Sequence, residues 1–266
     1  MRQVPLALIR RRHPVKSLQI GSSRWRFIES KARPGAPALV LLPGTLGTGE
    51  LFWNQIAALR GRARILALTY PRHSNPRLMA DQIVRIAERR GIRRFAVLGS
   101  SLGGYLAQTI AGRHRSRVAH LFIGNSFAEA AKVMPVEVLR TLPPYVHRNT
   151  VSGSVRKWNT SEPVFATLRR LLLDNAHRQI TAQELKARVL TWAAGPVVPR
   201  IDLPRQRITL IDCLDDPLIP GAVHKEMAAR YQGAEFHKFP VGGHYPYVTR
   251  AKAYSAIVTR RLFQPG

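Results

Sequence analysis

Short apolar runs recur along the chain at 38–42 (ALVLL), 63–68 (ARILAL), 95–98 (FAVL), 118–123 (VAHLFI) and 207–213 (RITLIDC). Each is too short for a helix and rich in branched residues, so each reads as a strand buried on both faces. Between them, apolar positions fall at helical spacing over 50–59, 75–90, 102–112, 222–231 and 250–263. The 75–90 stretch has clear boundaries: Asn75 can cap, Pro76 suits the first helical position, and Gly91 closes it, with Leu78, Ile83, Ile86 and Ala87 near one face. Ahead of this series, 17–20 and 24–28 alternate across Gly21-Ser22-Ser23 and predict a hairpin, and 235–239 predicts a last strand. Strands alternating with helices give an α/β fold with a mostly parallel central sheet and helices on both faces. In such sheets ligands bind beyond the carboxyl ends of the strands.

The rhythm changes over 127–204. Pro135, Pro143-Pro144, Pro163, Pro196 and Pro199 punctuate helical pieces expected at 136–142, 162–175 and 182–194. The expected organisation is a core made of 1–126 and 205–266, with 127–204 inserted as a helical cap over the sheet's top edge. Met134, Tyr145, Trp158, Phe165 and Trp192 are the cap's candidates for lining a substrate pocket.

Composition narrows the functional classes. A chain of 266 residues can bury one large core. No apolar run approaches a membrane span, and Leu6 to Ile9 is too short for a signal-peptide core, so a cytoplasmic location is expected. Lys and Arg total 42 against 15 Asp and Glu, a formal charge of +27. The arginines are scattered over helix faces and loops, and no nucleic-acid module is legible, so no specific nucleic-acid partner is expected. Residues 1–16 carry five basic residues and no acid; Pro5 and Pro14 interrupt any presequence-like helix, which leaves a flexible or edge-packed basic arm. The single cysteine, Cys213, excludes an internal disulfide and reads as packed in a strand.

The candidate chemistry lies at the strand ends. Gly99-Ser100-Ser101-Leu102-Gly103 fits G-x-S-x-G between a strand and a helix, a turn that lifts the serine clear of the backbone. Ser101 is therefore the candidate nucleophile, since Ser100 occupies the variable position. Pro43-Gly44-Thr45-Leu46-Gly47-Thr48-Gly49 follows the 38–42 strand and lacks the Gly-Lys-Ser/Thr ending of a phosphate loop. It reads as a loop whose N–H groups face a developing oxyanion, with Thr45 as donor beside Leu102, the residue after the nucleophile. A serine hydroxyl needs a base, and a histidine base needs an acceptor on its other nitrogen. Asp216 and His244, in a Gly-Gly-His loop, supply these in the order Ser, Asp, His; Asp212 and Asp215 are rival acids, and His73 and His237 rival bases.

With these motifs the chain resembles the α/β-hydrolase superfamily over nearly its whole length, with Pro43-Gly44 where many members carry His-Gly. The stretches Ala67 to Pro71, Gly99 to Gln108, Gly124 to Phe127 and Ile208 to Cys213 look like the maspardin branch. That branch implies a binding or adaptor protein without a full triad, whereas this chain has Asp216 where the acid belongs, with the superfamily's Asp-x-x-x-Pro spacing to Pro220, and His244 in an intact Gly-Gly-His. The resemblance thus implies a serine hydrolase acting on a small or medium carboxylic ester, with no metal or organic cofactor. Two alternatives accompany it: a non-catalytic binding protein on the same scaffold, and a thioester hydrolase, C–C hydrolase or lyase with the same triad.

Overall fold

The computed structural model describes residues 6–158 and 161–264. The apolar runs form the middle of an eight-stranded sheet: β1 (Val15–Ile20), β2 (Ser23–Ser30), β3 (Ala38–Leu42), β4 (Arg64–Thr69), β5 (Phe95–Ser100), β6 (Val118–Gly124), β7 (Ile208–Cys213) and β8 (Glu235–Phe239), in the order β1-β2-β4-β3-β5-β6-β7-β8. The hairpin β1–β2 and the β2–β4 pair are antiparallel, and every other pair is parallel. Every residue of β3, β5 and β7 is buried, whereas β8, at the sheet edge, is only partly buried and exposes Lys238. That contrast follows from place: a central parallel strand needs apolar residues on both faces, and an edge strand is better blunted by charge.

Two apolar clusters cover the two faces. One joins Val40, Val97 and Leu121 to α3 (Pro76–Arg89) and α4 (Leu102–Arg113). The other joins Leu39, Leu41 and Leu98 to α2 (Trp53–Leu59) and α11 (Ala251–Phe263). The Asn75 side chain caps α3 by accepting from the N–H groups of Arg77 and Leu78 at 3.0 and 3.1 Å. Leu78 departs from expectation: it is 42% exposed, and Met79 takes the core position beside Ile83, Ile86 and Ala87. Met79, four residues before Ile83, continues the buried stripe of a regular helix, and Leu78, one position off it, faces solvent.

The remaining helices are α1 (Leu6–Arg12), α5 (Glu137–Thr141), α6 (Pro144–Arg156), α7 (Pro163–Asp174), α8 (Ala182–Ala193), α9 (Gly221–Arg230) and the single turn α10 (Pro246–Thr249). Of the two expectations for the basic arm, flexible or edge-packed, the described part follows the packed one, as a short helix. The helix α1 ends ahead of Pro14, Ile9 is buried against the core, and the Arg10 guanidinium makes a two-pronged pair with Glu50 at 2.7 and 2.9 Å. Burying one isoleucine contributes about 1.5–3 kcal/mol, enough to dock a helix too short to form alone.

Between β6 and β7 the chain forms α5 to α8. The helix α6, PYVHRNTVSGSVR, is absent from the sequence-based reading, because Thr, Val, Ser and Gly are poor helix formers and mask its apolar spacing. Packing against α7 and α8 overrides that weakness. The α10 turn is a second element that the sequence pattern does not reveal. Among the described residues, no helix is long and apolar enough to cross a membrane.

Candidate active site

The turn from β5 into α4 is held in a conformation that side chains rarely adopt. Ser101 has φ 55° and ψ −122°, a left-handed position that costs on the order of 1–3 kcal/mol and persists only where its surroundings enforce it. The enforcement is visible: the Ser101 N–H donates to the Gly124 carbonyl at 3.0 Å, and its own carbonyl accepts from Tyr105 N–H at 3.0 Å and Ser126 Oγ at 2.8 Å. A Cβ on Gly99 would collide with the Gly103 carbonyl, and one on Gly103 with the Leu42 carbonyl. The glycines of the motif are therefore dictated by close backbone packing, and the result turns the Ser101 side chain into a cavity. Ser100 is buried in β5.

The carboxylate comes from the loop after β7. The side chain of Asp216 is fully enclosed, and His244 Nδ1 donates to it, 2.8 Å from Oδ2 and 3.0 Å from Oδ1. Asp216 Oδ1 also accepts from the N–H groups of Leu218 and Ile219 at 2.8 and 3.2 Å, and Oδ2 from Asn125 Nδ2 at 2.6 Å. Burial pushes the Asp216 pKa up, but the imidazole beside it and these hydrogen bonds outweigh burial and hold it below the usual value. The carboxylate is therefore ionised at neutral pH.

The rival acids have other work. Asp215 accepts from the N–H groups of Gly242 and Gly243, at 2.9 and 2.8 Å to Oδ1, and so ties the histidine loop to the acid loop. Asp212 accepts from Asn125 N–H at 2.9 Å and stands 3.0 Å from the His224 ring. The rival bases lie elsewhere: His73 accepts from Asn75 N–H at 3.0 Å ahead of α3, and His237 pairs with Glu235 at 2.8 Å on the edge strand. Cys213 is buried, and burial with nearby aspartates pushes its thiol up to about 12.

Asn125 escaped the sequence reading as a site residue. It is fully buried at the end of β6 with φ 39°, a conformation that asparagine tolerates better than most residues. Its Nδ2 bridges Asp216 and the Gly243 carbonyl (3.0 Å), and its Oδ1 accepts from Cys213 N–H at 3.2 Å. One amide thus joins the acid loop, the histidine loop and β7. An Asn after Gly at a strand end was the only available signal, and it names no partner.

A cavity of about 240 Å³ opens beside these groups, with Thr45, Leu46, Ser101 and His244 on its wall. Residues between β6 and β7 supply most of the rest, including Met134, Trp158 and Trp192 as expected from sequence. Tyr145, by contrast, is 63% exposed, and Phe165 lines a second cavity that Trp158, His244 and Tyr245 also border. Asp, Glu, Lys and Arg are absent from the lining among the described residues. No group of three or more His, Cys, Asp or Glu among them is placed to hold a metal ion.

The comparisons agree with this architecture. Human maspardin is 25% identical over 249 residues, covering 91% of this chain and 80% of that protein. The enol-lactonase of Burkholderia xenovorans LB400 superimposes with a TM-score of 0.75 at 20% identity, covering 94% of this chain and all of that one. The esterase RhEst1 of Rhodococcus sp. ECU1013 gives 0.77 at 13% identity, covering 95% and 99%. Structural likeness at such identities speaks to the fold alone. The model of the alpha/beta hydrolase family matches residues 39–257, from β3 into α11, and the chain belongs to that family.

Proposed function

We propose that the protein is a serine hydrolase that cleaves carboxylic esters with an uncharged, apolar acyl group of small to medium size. One observation carries the reading: His244 binds a buried, ionised Asp216 through Nδ1 and stands on the same cavity wall as Ser101. A proton on Nδ1 leaves Nε2 as the basic nitrogen.

In the proposed reaction Nε2 of His244 takes the Ser101 hydroxyl proton as Oγ bonds to the ester carbonyl carbon. The carbonyl electron pair moves onto oxygen, which the N–H groups of Leu102 and Thr45 would receive. The tetrahedral adduct then expels the alcohol, which takes the proton from His244. Water, deprotonated by the same imidazole, attacks the acyl-enzyme, and breaking the Ser101 acyl bond returns the proton to Oγ. Asp216 keeps the ring oriented and stabilises its cationic form. The apolar lining supports a neutral acyl group, and 240 Å³ lies below the ~300–1,000 Å³ typical of pockets for drug-sized ligands. The segment between β6 and β7 would act as the cap that shapes this space.

The test is Ser101→Ala with a panel of p-nitrophenyl esters and a fluorophosphonate probe. Wild type is expected to turn over and to be labelled at Ser101. The variant is expected to lose both while melting normally. Undiminished turnover by the variant would remove Ser101 from the mechanism. The maspardin likeness motivates a second reading, a non-catalytic binder, against which the complete Asp216–His244 pair argues; absence of both turnover and labelling in wild type would favour it.

A further inference from the structure

Arg188, on α8, is a guanidinium with no exposed surface and, among the described residues, no carboxylate within ion-pair distance. Burial lowers its pKa to about 10, so it remains charged at neutral pH. A buried charge of this kind persists only when backbone or side-chain oxygens compensate it. Here the compensation is backbone: Nη1 donates to the carbonyls of Gly47 (2.7 Å) and Thr45 (3.2 Å), and Nη2 to that of Tyr70 (3.0 Å). The guanidinium also lies 5.4 Å from the centre of the Tyr70 ring. From the π-helical turn Asn175–Gln179, Asn175 Nδ2 donates to the intervening carbonyl of Leu46 at 3.0 Å.

These bonds complete a pattern over the loop after β3. The Pro43 carbonyl accepts from Tyr70 Oη at 2.7 Å, and the Gly44 carbonyl from Gly47 N–H at 2.9 Å. Every carbonyl from 43 to 47 is therefore engaged, while the N–H groups of Thr45 and Leu46 have no partner among the described residues. In a trans peptide the C=O of one residue and the N–H of the next point in opposite directions. Holding the Thr45 carbonyl toward Arg188 aims the Leu46 N–H away from it, and fixing Gly47 secures the Gly44 carbonyl that orients Thr45 N–H. Thr45 and Leu46 both line the cavity that contains Ser101.

We infer that Arg188, with Asn175, is a positioning residue through which the inserted helices preset the oxyanion-binding N–H groups of the 43–47 loop. The inference rests on the hydrolase reading above. It makes the insertion part of the catalytic apparatus as well as a wall of the pocket, because the loop's geometry is imposed from α8 and the turn before it.

The experiment compares wild type with Arg188→Met, Arg188→Lys and Asn175→Leu, each first checked for a native circular dichroism spectrum. Loss of an aligned oxyanion donor costs about 10²–10³ in kcat, and Arg188→Met is expected to fall in that range with KM changed less than about threefold. The inhibition constant of a trifluoromethyl ketone with the same acyl chain should rise in parallel with the loss in kcat, because its adduct needs the same N–H groups. Arg188→Lys should recover part of the loss, since an ammonium can still reach one of the carbonyls. If Arg188→Met does not fold, Arg188→Lys and Asn175→Leu carry the test with the same kcat-selective signature. A folded variant set whose kcat stays within about threefold of wild type, or whose loss falls on KM alone, overturns the positioning role while leaving the hydrolase intact. A wild type that neither turns over esters nor reacts with fluorophosphonate overturns the hydrolase reading, and the positioning role falls with it.

Discussion

Replacing Asn125 by Asp exchanges one buried nitrogen for an oxygen and tests the electrostatic design of the acid loop without any assay of turnover. Nδ2 of Asn125 lies 2.6 Å from Asp216 Oδ2, and Asp216 is already ionised and enclosed. Two carboxylates at that distance repel by about 6 kcal/mol at an effective dielectric of ~20, equivalent to 4–5 pH units at ~1.4 kcal/mol each. The pair in Asn125→Asp would therefore keep one shared proton from about pH 4 to about pH 8. The sign follows from proton counting. The unfolded variant has released that proton above about pH 4, so stability should fall as pH rises, by about 1.4 kcal/mol per pH unit. Wild type behaves oppositely: its Asp216 is held below the usual pKa, so that contribution is present above about pH 4 and is lost as pH falls through the folded-state value. Urea denaturation followed by tryptophan fluorescence between about pH 5 and pH 8 reads the difference directly. The double variant Asn125→Asp with Asp216→Asn restores a single carboxylate and should restore the wild-type slope. If Asn125→Asp shows the wild-type pH profile, the close Asn125–Asp216 contact does not exist in solution and the reasoning fails.

A histidine far from the cavity gives an independent check on stability. His120 is buried in β6, where desolvation, aided by Arg261 and Arg207 against Glu235, lowers its pKa from 6.5 to about 4. The fold keeps it neutral, so stability should decline as pH falls from 6.5 to about 4, by on the order of 3 kcal/mol, and His120→Asn should flatten the melting temperature over that window. At the pocket, Val189 packs on the cavity wall among apolar neighbours, so Val189→Phe should favour acetyl over octanoyl esters. A mismatch of this size is worth about 1–3 kcal/mol in kcat/KM, and an unchanged chain-length profile would place the acyl group elsewhere.

What the sequence determined by itself is local and periodic. Uninterrupted apolar runs can only be buried strands, Asn75-Pro76 can only begin a helix well, and the glycines around Ser101 mark a turn whose backbone admits no Cβ. These features fixed the α/β alternation, the elbow and the order Ser101, Asp216, His244, because each depends on residues within one turn or strand. The cavity wall was partly legible too, in Met134, Trp158 and Trp192. Long-range partnerships were not. Nothing adjacent to Asn125 reveals that its amide meets Asp216 and Gly243, and the sequence around Arg188 reads as an ordinary charged helix although the guanidinium is buried on the carbonyls of Thr45, Gly47 and Tyr70. The helix α6 was hidden for the same reason, since its stability comes from neighbours rather than propensity. Strand and helix signals are written in period and capping, whereas the choice of partner for a buried polar group is made only when the sheet and the helices between β6 and β7 close on one another.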